Sequence, residues 1–300
     1  MHSAAVEQVR AWRPALPGVR EVFHARFVAH RYPPHTHDTW TVLLVDQGAI
    51  RYDLERRPHG SDLGTITVLP PGVVHDGRSA HRAGFRKRVL YVETDVLGED
   101  LVGPAVDRPS IVDPGLHRRL DRLHRQLAGR DERLGGEATL ALVAERLAAH
   151  LRRRAGDSCA RGDAGDGVGG GASGAPPPDP RLADRLRDLL DARALTPLTL
   201  AEAAATLDAN VTHLVRSFTR AHGVSPHAYV VGRRIDAARA RLLDGVPPAV
   251  VAAETGFHDQ AHLGRHFVRH VGTTPGRFAR AGARTRRPRP GWTPAAGRPA

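Results

Sequence analysis

The 300-residue chain has a single cysteine, Cys159. One thiol cannot build an intrachain disulfide framework, and its glycine-rich surroundings argue against a catalytic nucleophile, so a reducing compartment is expected. Long apolar runs are equally scarce. The N-terminus carries nothing of the length of a secretory core, and no stretch approaches the roughly 20 apolar residues of a spanning helix. A cytoplasmic protein with no membrane partner is the expectation. Helical periodicity is missing from Val19 to about Glu93, where short β-branched or alternating runs are broken by Gly, Pro and Asp. That pattern belongs to an antiparallel sheet, sandwich or barrel, with candidate strands at 21–29, 41–45, 50–55, 65–69 and 88–92.

What is present is length and positive charge. Three hundred residues exceed the usual single domain, so two folded units are expected. The formal charge is +12, and it is unevenly placed: from Arg181 onward there are 19 Arg against 9 Asp and Glu, a net of +10, which leaves 25 minus 23, or +2, for the rest. A polyanionic partner is implied, with nucleic acid and an anionic membrane surface equally compatible at this level.

Within the β-rich region, His35-Thr36-His37 is followed by Gly48, and Gly64 by Pro70, Gly72 and His75. Residues and spacings resemble the two motifs of the cupin barrel. In metal-binding cupins such motifs supply two His and a Glu, then a further His, so the resemblance implies ligands at His35, His37 and His75. The Glu position, however, is Thr41 here. Alternation along a strand would send His35 and His37 to one face and Asp38 to the other. Without the acid no metal and no other cofactor is expected, and a metal, where present, would use those three imidazoles. Barrel mouths commonly take small molecules. The pocket residues expected are His35, His37, Trp40, Tyr52, His75 and Tyr91, with packing and hydrogen bonding as the simpler role of the histidines.

Asp113-Pro114 reads as an N-cap followed by proline at the first helical position. Leu116, Leu120, Leu123 and Leu127 then form one apolar stripe, and Leu140, Val143, Leu147 and Leu151 form another on a second helix from about 136 to 154. These stripes are expected to be shared between the barrel and a second chain, giving a homodimer. Residues 155–180 hold eight Gly and four Pro among 26, the composition of a flexible linker. Gly167 to Ala172 matches a dinucleotide fingerprint in letters only, since no strand precedes it and no helix follows.

Beyond Pro180 the pattern becomes helical, and it repeats. The seventeen residues from His213 to Tyr229 recur forty-nine positions later from His262 to Phe278, with seven identities and no gap. Asn210 caps one helix that Gly223 ends, and Asp259 opens a second that Gly272 ends. Two helix-turn-helix units are thus joined by a long helix from about 226 to 243. The arrangement resembles the AraC/XylS family of bacterial transcription regulators, through Asp259, His262, Leu263, Arg265, Phe267, Gly272, Thr274, Pro275 and Phe278, with a weaker copy at 210–229.

Leu214 with Phe218 and Leu263 with Phe267 are apolar pairs four apart, so the residues between them face outward. Base-reading positions are therefore Thr212, Val215 and Arg216 in the first unit and Gln260, Ala261 and Arg265 in the second, with Gly264 leaving a bare spot. Arg220, Arg269 and Arg277 suit phosphate contacts. The fold class expected is multidomain α+β: a cupin-like antiparallel β-barrel with two helices, then an all-α double helix-turn-helix domain. In domains this gives an arm at 1–18, the barrel at 19–112, helices at 113–154, the linker at 155–180, the DNA-binding domain at 181–280 and a disordered basic tail at 281–300. The function expected is sequence-specific regulation of transcription, more often activation than repression, under a small-molecule effector, with duplex DNA and RNA polymerase as partners. A metal-dependent cupin enzyme fused to a DNA-binding domain is the alternative.

Overall fold

The computed structural model describes residues 7–129, 133–158 and 178–285. Ten strands come first: β1 (Gln8–Trp12), β2 (Val19–Phe27), β3 (Arg31–His35), β4 (Trp40–Gln47), β5 (Ile50–Leu54), β6 (Arg57–Ser61), β7 (Thr65–Leu69), β8 (His75–Ser79), β9 (Phe85–Val92) and, after two short helices, β10 (Ser110–Val112). They form a six-stranded sheet in the order β1-β2-β9-β4-β7-β10 and a four-stranded sheet in the order β3-β8-β5-β6. All the strand pairs are antiparallel. The cupin-like architecture is there, but the two sheets do not join into a closed barrel.

Strand alternation gives the large sheet two apolar faces. Val22, Trp40, Val42, Leu44, Ile66, Val68, Leu90 and Val92 look one way, against the short helices α1 (Thr94–Leu97) and α2 (Val102–Asp107) and the long helices α3 (Pro114–Ala128) and α4 (Arg133–Ser158). Both leucine stripes are buried there, including Leu120, Leu123 and Leu151 at 0% exposure. The expected sharing of those stripes with a second chain is therefore not what they do: the six-stranded sheet offers enough apolar area to fill both. Asp113 caps α3 by accepting from the backbone N–H of Gly115 and Leu116. It also accepts from Arg146 and His150 of α4, at 2.8 and 2.7 Å, so one carboxylate ties the two helices together.

The helical unit comprises α5 (Pro180–Ala192), α6 (Leu200–Thr206), α7 (Val211–His222), α8 (Pro226–Leu243), α9 (Pro248–Glu254), α10 (Gln260–Val271) and α11 (Pro275–Thr285). A Thr199–Glu202 capping box starts α6, Asn210 and Asp259 cap α7 and α10, and Gly223 and Gly272 end them in the left-handed region at φ 72° and 80°. The first helix-turn-helix has its own core of Leu182, Leu186, Leu214, Phe218 and Tyr229. In the second, Leu263, Phe267 and Phe278 join Phe23, Phe27 and Tyr91 of the sheet in one continuous cluster. The two units are thus docked through shared apolar packing.

Helix α11 extends past the basic-tail boundary at 281; residues 286–300 lie outside the described residues, as do Cys159, the glycine-rich 167–172 segment and most of the 155–180 stretch.

Candidate functional site

Two surfaces carry chemistry. The first is formed by α7 and α10, each 12 residues long and held by the same device: apolar residues four apart fully buried, with Arg216 and Arg265 between them outward, although Ser217, also between them, turns inward and accepts the Asp179 N–H at 3.0 Å. Thr212, Arg216, Gln260, Ala261 and Arg265 are exposed, Val215 is half-buried, and Gly264 is as bare as its lack of a side chain implies. Arg220, Arg269 and Arg277 are exposed as well. Among the described residues none of these arginines is paired with a carboxylate, which leaves their guanidinium groups available to an anionic partner. Helix α8 separates the two units with 18 residues, ~27 Å at 1.5 Å each. That length is comparable with the ~34 Å between successive major grooves on one face of a duplex. His262 stays beside the turn, its Nδ1 3.3 Å from the His258 N–H and its ring against Phe257 and His266.

The second surface is a cavity between the two sheets, lined by His35, His37, Thr41, Tyr52, His75, Lys87 and Tyr91 among others. Five of the six expected pocket residues meet there. Trp40 does not. It precedes Thr41 on β4, so period-two alternation turns it to the opposite face, where it is 0% exposed among the residues packed under α3 and α4. The cavity holds about 40 Å³, room for an ion with water or a few waters, and not for the few hundred Å³ of a typical organic ligand. A wider groove of about 840 Å³ opens between the units, near Arg20, Asp38, Asp191 and Arg233. Asp38 faces it, away from the histidines, and pairs with Arg20 at 2.6 Å and Arg233 at 3.4 Å.

The three histidines are buried, and each offers one nitrogen within 4.8 Å of the others. Only His35 lies on β3; His37 reaches the cluster from the loop beyond it. Each ring is anchored through Nδ1: His35 to the Pro33 carbonyl at 2.8 Å, His75 to the Val73 carbonyl at 3.0 Å, and His37 to Asp236 Oδ1 at 3.3 Å. Carbonyls only accept, so His35 and His75 carry their protons on Nδ1 and present bare Nε2 lone pairs inward. Burial and the neighbouring imidazoles hold the His35 pKa well below its ordinary value, and burial brings that of His75 down to about 3. Neutral imidazoles with Nδ1 tied to an acceptor are the donor set that zinc-class ions use, so the residues present fit such an ion despite Thr41 at the acid position.

Four ionisable groups around this cavity, Glu21, Lys87, Asp236 and Arg239, have no signal in sequence spacing. Arg239 of α8 donates to Glu21 Oε1 at 2.6 Å with both side chains 7% exposed, and its guanidinium lies 4.4 Å from the Tyr91 ring centroid. Burial alone would lower the Arg239 pKa; Glu21 and Tyr91 more than offset it and keep the group charged. Lys87 sits 4.2 Å from the Tyr32 ring centroid, and burial followed by Arg239 brings its pKa down to about 7. Asp236, like Arg239, comes from the other folded unit, which is why no local motif announces it.

The comparisons with known proteins bear on both surfaces. Residues 17–144 match the model of the AraC-like ligand binding domain, and residues 187–281 that of a helix-turn-helix domain. The chain belongs to the AraC family of transcription regulators. It is 22% identical over 250 residues to the uncharacterized HTH-type transcriptional regulator YbfI of Bacillus subtilis, covering 81% of this chain and 85% of that protein. It is 29% identical over 84 residues to the uncharacterized HTH-type transcriptional regulator YdiP of Escherichia coli, 28% of each chain. Among solved structures, ToxT from Vibrio cholerae O395 superposes with a TM-score of 0.55 at 11% identity, covering 92% of this chain and 97% of that one, a likeness of fold. By its two matched domain models, this AraC-family chain is a DNA-binding transcription regulator with an N-terminal ligand-binding domain; among its described residues no helix is long and apolar enough to cross a membrane.

Proposed function

We propose that the protein reads a specific DNA sequence with α7 and α10 and regulates transcription in response to a guest held in its N-terminal domain. The observation that carries this is the matched, outward placement of Arg216 and Arg265 at equivalent positions of two repeated helices, both unpaired with acids among the described residues. Arginine near the start of such a helix makes a bidentate contact with guanine, Gln260 suits adenine, and Arg220, Arg269 and Arg277 suit phosphates, which fix register without specifying sequence. Activation in the cytoplasm, with RNA polymerase as a further partner, completes the proposal. A homodimer in it has to form on a surface other than the inward stripes of α3 and α4, which the chain itself fills.

The metal-dependent enzyme remains the second reading because of the histidine cluster, but a cavity of about 40 Å³ leaves no room for an organic substrate beside an ion and supports sensing over turnover. The test is selection of bound duplexes from a random pool, with and without candidate effectors. Enrichment of one sequence, bound far more tightly than random duplex at equal salt, is expected. Equal affinity for all duplexes at fixed salt would reduce the protein to a nonspecific polyanion binder.

A further inference from the structure

We propose that His35, His37 and His75 bind a divalent ion of the zinc class through Nε2, and that Asp236 of α8 positions His37 for it, so that metal occupancy secures the helix-turn-helix unit to the ligand-binding domain. The regulatory consequence rests on the function proposed above; the metal site and the docking do not.

The geometry sets two ring nitrogens close to the separation that a shared cation imposes. His35 Nε2 and His37 Nε2 lie 3.1 Å apart. His35 carries its proton on Nδ1, against a carbonyl, so its Nε2 is a bare acceptor that either an N–H on His37 Nε2 or a shared cation engages. Two nitrogens on a tetrahedral zinc-class ion, each 2.0–2.1 Å from it, stand ~3.3 Å apart, close to what the protein already holds. Three imidazole ligands select zinc, cobalt, nickel or copper over the hard oxygen-seeking ions. Thr41, whose hydroxyl is buried without a partner, stands where a fourth, acidic ligand would be, so the ion keeps open positions for water or an anion.

What departs from an ordinary cluster is the origin of the acid behind His37. A metal-bound imidazole that donates its other N–H to a carboxylate is a stronger ligand, and loss of that partner typically costs 10–100-fold in metal affinity. Here that carboxylate is Asp236, brought from the helix that joins the two DNA-reading units. Its other oxygen, Oδ2, is buried without a hydrogen-bond partner. A carboxylate kept in that position, with Arg233 and Arg239 one turn to either side on the same helix, is held by what lies across the boundary as well as by its own neighbours. By linkage, whatever tightens metal binding through Asp236 also tightens docking of α8, by the same factor.

The test uses the full chain, stripped of metal and titrated with cobalt(II), read by its visible d–d absorption. Hydrogen exchange over residues 226–243 is followed in parallel, with and without zinc, and without DNA. Wild type is expected to bind one cobalt per chain, with zinc slowing exchange in α8. His75→Ala should lose the absorption. Asp236→Asn should bind 10–100-fold more weakly, with a shifted spectrum and no zinc-dependent slowing, and Asp236→Glu should recover part of both. Absence of the band in wild type overturns the site, and needs no variant to do so. Wild-type affinity, spectrum and slowing in Asp236→Asn overturn the role of Asp236. If cobalt binds as described while selection finds no preferred duplex, only the proposed function fails.

Discussion

Lys87, the only lysine in the chain, is buried against aromatic rings and repelled by Arg239. Its folded pKa of about 7 lies below the ordinary 10.5, so folding is penalised most below pH 7. The penalty fades as pH rises from 7 toward 10.5, where the folded state gives up its proton first. Lys87→Met should therefore stabilise the protein by about 1–4 kcal/mol at pH 6.5 and by clearly less at pH 9.5, measured by urea unfolding at both. An equal gain at the two pH values would mean the amine is not neutralised by its surroundings. On the DNA side, Arg216→Ala or Arg265→Ala should cost ~1–3 kcal/mol on the selected duplex and relax base preference at one position, read by competition binding. Residue placement was legible where a motif repeats or a period holds: His35, His37, His75, Tyr52 and Tyr91 line the cavity, and Arg216 and Arg265 are exposed. Trp40 was misplaced because its size suggested a pocket while its parity on β4 put it on the other face. Asp236 was invisible because its partner lies 199 residues away.

At the scale of elements, the caps decide. Asp113 serves two helix-start N–H groups and the side chains of Arg146 and His150, and the hydrogen bonds from His150 and Leu116 hold its carboxyl well below the usual range. Asp113→Ala should lower stability by about 1–2 kcal/mol in urea unfolding at pH 7, and the difference should shrink as pH falls through the carboxylate range. An unchanged midpoint would show that α3 needs no cap. Gly272 combines φ of 80° with close approach to Phe27, whereas Gly245 has φ of 89° and open space around its missing Cβ. Gly245→Ala should thus cost about 1 kcal/mol of backbone strain alone, and Gly272→Ala more, because Phe27 must also yield. Equal losses in thermal unfolding would remove the steric part. Helix ends of this kind were readable from Asp, Asn, Pro and Gly in the chain. Strands β3 and β6 were not, since edge strands tolerate the prolines and glycine they contain and carry little alternation. Strand β8 reads as polar because its inward residue, His75, faces a polar cavity.

Across the whole molecule, the ligand-binding domain holds both reading helices by their C-terminal ends. Val74 abuts Gly223, Phe27 abuts Gly272, and Arg56 donates to the carbonyl oxygens of Thr219 and Arg220 at 3.4 and 3.3 Å. The Thr219 carbonyl already accepts the Gly223 N–H, whereas that of Arg220 lies among the last carbonyls of α7, which lack internal donors, so Arg56 supplies the donor it needs. The N-terminal reading faces stay exposed meanwhile, so the docked form leaves them free for the DNA contacts proposed above. The most direct measurement is hydroxyl-radical footprinting of the full chain on its selected duplex. Two protected patches about one helical turn apart are predicted, the first weakened selectively by Arg216→Ala and the second by Arg265→Ala. A single patch, or two that fade together in either variant, would contradict the account of one chain reading two grooves.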